Sequence, residues 1–319
     1  MKYSGIGGQA VIEGVMMKNG NEYAIAVRKP DGEIEVKKER CKGGEDRAKF
    51  FKLPFIRGVV NFIDSLVLGM STLSYSASFY DDEDEAAKKA DKNKDKNNGK
   101  NSEAFYNALT MVLAVLMAIG IFMVAPYLVS HFLLEKVIDN RLLLTFLEGV
   151  IRLVFFILYV VIISLMEDIK RVYMYHGAEH KCINCIEHGL ELNVDNVMKS
   201  SKEHKRCGTS FLLIVMCLSM VVLMLVNFDS RLYNFIARIV LIPVIAGASY
   251  ELLRLFGRFD NAFVNFLSKP GLLMQGLTTK EPDEKMVEVA IASVEAVFDW
   301  KDYLAKNFED SNNDSQTDS

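Results

Sequence analysis

Three blocks of this sequence are too long and too apolar for a soluble core: residues 108–134, 142–166 and 209–227. A fourth, residues 232–256, is interrupted by charge at Arg238, Glu251 and Arg254. Soluble helices show a periodic apolar stripe, whereas an unbroken run of about eighteen or more apolar residues matches the thickness of a bilayer. In hydrocarbon each backbone amide must be paired within its own segment, so such runs are helices. The sequence therefore predicts a mainly α-helical polytopic membrane protein with about four transmembrane helices. The opening MKYSGIGGQAVIEG has no apolar core of a signal peptide, so the first hundred residues are expected to stay on the side where they are made.

Lysine and arginine set the expected orientation. The connection between the second and third runs is long and basic, with Lys170, Arg171, Lys181, Lys199, Lys202, Lys205 and Arg206, while the connection after the third run holds Arg231 alone. Four spans with both termini in the cytosol of a cell membrane satisfy these charges. A further apolar segment, residues 51–80, carries Arg57 and Asp64 between basic flanks and is expected to be an interfacial or re-entrant helix.

Outside the spans, residues 1–45 alternate in the manner of short strands. AVIEGVMM and EYAIAVRK are separated by KNGN, and PDG marks a second turn, which predicts a small N-terminal antiparallel β-sheet. Residues 81–103 carry too little apolar surface to fold and are expected to be a linker. Residues 257–300 are expected to form a cytosolic helical region with an amphipathic helix at about 283–298, and residues 301–319 a mostly disordered tail. Net charge is only −4 and there is no basic-aromatic pattern, so no nucleic-acid partner is expected.

The chemistry concentrates in residues 167–208, between the second and third spans. Here YHGAEHKCINC places His176, Glu179 and His180 in the order H-x-x-E-H. On a helix, positions i and i+4 share a face, so the two imidazoles could chelate one ion while Glu179 points beside it as a general base toward water. A catalytic site of this kind takes a third ligand and keeps an open position. Candidates are Glu251, near the cytosolic end of the fourth span, and His204 or Cys207 in HKRC. A rival arrangement pairs Cys182-x-x-Cys185 with His204-x-x-Cys207 as a closed structural zinc site. A third reading makes the histidines ordinary interfacial side chains. The five cysteines are unevenly spaced and do not form a disulfide framework.

Within the spans, Glu148 and Arg152 fit an i, i+4 pair, and Arg238 is placed at the depth of Glu148. They read as a structural ion pair orienting helices, or as a polar cavity admitting a lipid headgroup or peptide segment. Glu13, a carboxylate in an apolar stretch, reads as a strand residue facing water or as a functional group.

GGQAVIEGVMM, YHGAEHK, RCGTSFL and LTTKEPDEKMVEVAI, spread over nearly the whole chain, resemble the YqhQ-like family of bacterial membrane proteins. That family carries the label of predicted metal-dependent enzyme, which implies a membrane location and a role for His176, Glu179 and His180. Cys182 and Cys185 are not among its recognisable motifs, so the resemblance implies the set His176, His180, His204 and Cys207, with zinc as the expected ion. Four protein ligands would close a tetrahedral ion and leave no place for substrate. Two functions remain: a zinc-dependent hydrolase acting on a membrane protein segment or lipid, and a non-enzymatic membrane scaffold or partner protein whose His/Cys loop is structural. A transporter has little support without a repeat or paired broken helices.

Overall fold

The computed structural model describes residues 2–41, 53, 56–80, 109, 112–114, 116–204, 206–226, 231–258 and 261–309. The expected linker at 81–103 and the last ten residues of the expected tail lie outside the described residues. The order is β1 (Gly7–Val11), β2 (Gly14–Asn19), β3 (Glu22–Arg28), β4 (Ile34–Arg40), α1 (Ile56–Ala77), α2 (Val112–Leu134), α3 (Arg141–Ile163), α4 (Glu167–Glu187), α5 (Val194–Lys199), α6 (Gly208–Leu225), α7 (Arg231–Arg258), α8 (Ala262–Thr278), α9 (Glu284–Val297) and α10 (Trp300–Leu304). The chain divides into two compact units, one of residues 1–80, 163–214 and 246–319 and the other of 81–162 and 215–245.

Five helices among the described residues are long and apolar enough to cross a membrane: α1, α2, α3, α6 and the stretch Ile239–Phe256 of α7. This is a membrane protein by the length and composition of its helices, and it carries a small antiparallel sheet. α1, assigned from sequence to the interface, thus has the length of a span. Its second half nevertheless rests on the sheet: Ile12 N–H donates to Ser76 Oγ (3.1 Å), and Leu68, Tyr75 and Phe79 pack on Val11, Met16, Tyr23, Ile25 and Val27.

The sheet runs β1-β2-β3-β4, each strand antiparallel to the next. Strand period two sends Val15, Met17, Ala24 and Ala26 to one face and Met16, Tyr23, Ile25 and Val27 to the other, and both faces are covered. The first face packs on α4 and α9 to make the main core, with Tyr175, Ala178, Cys182, Ile186, Val287, Ala290 and Val294. Asp283 caps α9 by accepting from Met286 N–H (2.8 Å).

AVIEGVMM, read from sequence as one strand, is a tight hairpin. Val11 pairs with Gly14, leaving Ile12 and Glu13 as the turn, and Glu13 adopts φ 50°. Its carboxylate bonds to Arg171 and accepts from Tyr175 OH (3.3 Å), which fastens the turn to α4. Period-two alternation gives no warning of this turn because both sheet faces are apolar. The region 167–208 is also mostly helical rather than loop, through α4 and α5. The expected tail is helical as far as Glu309.

In the second unit Arg152 donates to Glu148 (3.1 Å), the expected i, i+4 pair, and Gly149 lies against Met220. The side chain of Arg238 lies outside the described residues.

Candidate metal centre

α4 has an apolar side and a polar side. Tyr175, Ala178, Cys182 and Cys185 recur every three or four residues and fill the core beneath the sheet. His176, His180, Asn184 and Glu187 recur on another face and meet the segment from Met198 to Cys207 and the end of α8. This split decides which ligand candidates meet.

His176, His180 and Cys207 bring one ligand atom each to within 4.8 Å of one another. The imidazole centroids are 4.4 Å apart, and His176 Nε2 lies 3.2 Å from Cys207 Sγ. Each histidine is oriented from behind. His176 Nδ1–H donates to the carbonyl of Thr278 (2.9 Å) and His180 Nδ1–H to that of Lys202 (2.6 Å). With Nδ1 protonated in both rings, both Nε2 lone pairs are left for a ligand, the arrangement that orients imidazoles around metals. Cys207 stands just before α6, where Thr209 N–H donates to its sulfur (3.4 Å) and Thr209 Oγ1 lies 3.1 Å away.

The segment bearing Cys207 is gripped by its backbone. Lys181 Nζ donates to the carbonyls of Met198 and Ser200 (both 2.9 Å), and Asn184 Nδ2 to those of Ser201 (2.6 Å) and Glu203 (2.9 Å). From α8, the fully buried Gln275 accepts from His204 N–H (2.8 Å) and donates to His204 O (2.7 Å) and Ser210 Oγ (2.9 Å). Glu281 pairs with both Lys181 (3.0 Å) and Lys202 (3.3 Å).

Glu179 sits at the edge of the ligand face under β1. Its Oε2 is buried without a hydrogen-bond partner, and a Cβ on Gly8 would lie 2.9 Å from its Cγ. Burial raises its pKa to about 7 against the opposing pull of His176 and the Gly8 N–H.

The other candidates lie elsewhere. His204 turns its Nε2 toward Glu187 (3.5 Å) and stays outside the three-residue cluster, although its ring is 5.7 Å from that of His180. Burial lowers the His204 pKa, with Arg206 and His180 adding to it against Glu187, and its Nε2 also lies 3.3 Å from Arg206 Nη2. Cys182 is sealed in the core, where burial raises its thiol well above the usual range. The Cys185 thiol, raised to about 11 by burial, donates to Glu191 O (3.4 Å). The paired-cysteine arrangement is therefore not assembled. Glu251 is held by Arg57, whose Nε donates to it at 2.6 Å, and does not reach the cluster.

Sequence reading missed Glu187, Gln275 and Lys181. Glu187 is 0% exposed, accepts from Ser4 N–H (2.9 Å) and Ser4 Oγ–H (2.8 Å), and pairs with Arg206. Burial works to raise its pKa, but the His204 hydrogen bond, the Arg206 charge and the Ser4 N–H outweigh it and bring it to about 2. The available signal was its spacing, seven residues after His180 and so on the same helical face.

No solved structure matches the chain. The protein is 35% identical over 293 residues to "Uncharacterized protein YqhQ" of Bacillus subtilis (strain 168), covering 90% of each chain. The family described as "Protein of unknown function (DUF1385)" matches residues 53–300, which include His176, Glu179, His180 and Cys207. A match over most of the length, joined to a relative this similar across both chains, makes this protein a member of the DUF1385 family.

Proposed function

We propose that this membrane protein binds zinc through His176, His180 and Cys207 on the cytosolic side of a cell membrane, and that it is a hydrolase acting on a membrane protein segment or a lipid. The observation that carries the reading is the convergence of these three ligand atoms within 4.8 Å, each imidazole already turned by a backbone carbonyl. Two imidazole nitrogens and a thiolate suit a borderline-soft ion, so the donor set fits zinc. Zinc held there would supply Lewis acidity at a fourth, open position. With His204 turned to Glu187, the closed four-ligand set that weighs against catalysis is not formed.

The chain's own groups then have distinct roles. The carbonyls of Thr278 and Lys202 keep the rings in one tautomer and orientation. Glu179 takes and returns a proton at its carboxylate, and its unpartnered buried Oε2 supports that role, because an unpaired buried oxygen is costly unless it is used. Placement beside span-length helices favours a substrate presented by the bilayer.

The test is zinc content of the purified protein in lipid together with hydrolysis of membrane-derived substrates. His176→Ala and Cys207→Ala should lose the ion. Glu179→Gln should keep it and lose turnover; full turnover in that variant removes the proton-transfer assignment. A second reading, a non-enzymatic scaffold, is favoured by the cover that β1 places over Glu179 through Gly8. Under it the ion staples α4 to the entrance of α6, and His176→Ala lowers thermal stability while Glu179→Gln is silent.

A further inference from the structure

α8 turns a stripe of large apolar side chains outward. Its inward side carries Ser268, Gly271, Gln275 and Thr278 together with Val264 and Met274, all buried. Its outward side carries Phe263, Phe266 and Leu273, which are 70%, 66% and 77% exposed. Spaced by three and seven, these three fall on one stripe. A soluble helix buries its large apolar side chains, whereas a helix in lipid packs through small residues and turns the large ones outward.

What covers the stripe is indicated by the neighbours of α8. A Cβ on Gly271 would lie 2.7 Å from Ser210 Oγ, and Gln275 donates to that same hydroxyl. Ser210 is in the first turn of α6, a helix of span length, so α8 lies at the level where α6 starts. In the sequence α8 follows α7, another such helix, across a short connection. With 17 residues it reaches about 25 Å, and it is not among the five helices long and apolar enough to cross. A helix packed at the start of one span-length helix, following another in the sequence and apolar outward, is placed to meet lipid.

We propose that α8 is seated in the lipid leaflet through Phe263, Phe266 and Leu273, and that this seat holds Gln275 and Thr278 beneath the metal ligands. The inner side of α8 supplies both the carbonyl that orients His176 and the amide that grips the His204 backbone ahead of Cys207. Lipid contact on one side of the helix is thereby coupled to ligand geometry on the other. The coupling rests on the zinc reading above; the lipid seat does not.

The test uses the full chain in nanodiscs. Trp300 is the single tryptophan of the sequence, so Phe266→Trp and Leu273→Trp are each made in a Trp300→Phe background, and unaltered Trp300 is the comparison. Lipids brominated on the upper acyl carbons should quench tryptophan at 266 and 273 and spare Trp300, as for a helix seated about 5–10 Å into the headgroup boundary. Quenching by aqueous acrylamide instead, or concentration-dependent cross-linking between copies through this stripe, overturns the lipid seat. In the second arm, Phe266→Asn combined with Leu273→Asn should weaken zinc binding about tenfold, the scale of lost outer-shell support. Unchanged zinc affinity in a variant whose helix has left the bilayer overturns the coupling. Absence of zinc binding in the unaltered chain removes the metal reading and the coupling, and the quenching result still decides the seat.

Discussion

His176 Nε2 and Cys207 Sγ stand 3.2 Å apart across 31 positions of sequence. One belongs to the middle of α4, oriented by the Thr278 carbonyl, and the other to the threshold of α6, after a segment whose carbonyls are gripped by Lys181 and Asn184. If this contact is a ligand pair, cobalt(II) substituted for zinc should show a sulfur-to-metal charge-transfer band. Cys207→Ser should abolish that band and Cys182→Ala should leave it intact. Loss of the band in the Cys182 variant would place the sulfur ligand in the core instead.

Gly177 explains why the residue after His176 has no side chain. A Cβ there would sit 2.0 Å from the carbonyl oxygen of Lys280, which is backbone and cannot swing away, and Lys280 N–H already donates to Tyr173 O (2.9 Å). Gly177→Ala should push the chain after α8 off α4 and carry Thr278 O away from His176. The expected cost is about 1–3 kcal/mol of stability, with weakened metal binding, read by thermal denaturation and zinc titration.

Glu187 makes the protein acid-sensitive in a defined window. Its folded pKa of about 2 lies below its usual 4.5, so its contribution is fully present above pH 4.5 and is lost as pH falls toward 2. The shift corresponds to about 3 kcal/mol. Glu187→Ala should cost about 3–5 kcal/mol by leaving Arg206 without its buried partner, and should flatten stability across that acid range. An unchanged acid profile in the variant would assign the sensitivity to other carboxylates.

Gln275→Leu strips His204 N–H, His204 O and Ser210 Oγ of one partner each. Buried groups left unpaired cost about 1–3 kcal/mol apiece, so the variant should be clearly destabilised. It should also hold zinc less tightly than wild type, as measured by competition with a chromogenic chelator.

The exposed Lys199 ends α5 in the segment gripped by Lys181. In a background lacking the other cysteines, Lys199→Cys should react with an impermeant maleimide only after cells are opened. Labelling of intact cells would invert the proposed orientation.

The spans were legible because unbroken apolar length has few other uses, and His176 and His180 because a spacing of four repeats a helix face. Cys207 could be named as a candidate but not separated from His204, since the choice depends on Glu187, two helical turns further along α4. The cysteine pair stood as a rival because spacing alone does not say which side of α4 is core. Cys182 and Cys185 share their side with Tyr175 and Ala178, and that side is covered by the sheet and α9. The hairpin at Ile12–Glu13 was hidden for a related reason, since strands covered on both faces lose the alternation that marks where they bend.

One face of the sheet is completed only by α9, near the other end of the chain: Ser293 Oγ–H donates to Ala24 O (3.1 Å) across 269 positions. During synthesis the strands therefore leave the ribosome long before the helix that shields them. The face carrying Val15, Met17, Ala24 and Ala26 stays incompletely covered while the later apolar helices are made, and this core closes last. Nascent chains stopped before residue 284 should bind chaperones at their amino-terminal strands, so the order of translation puts membrane insertion ahead of assembly of the centre.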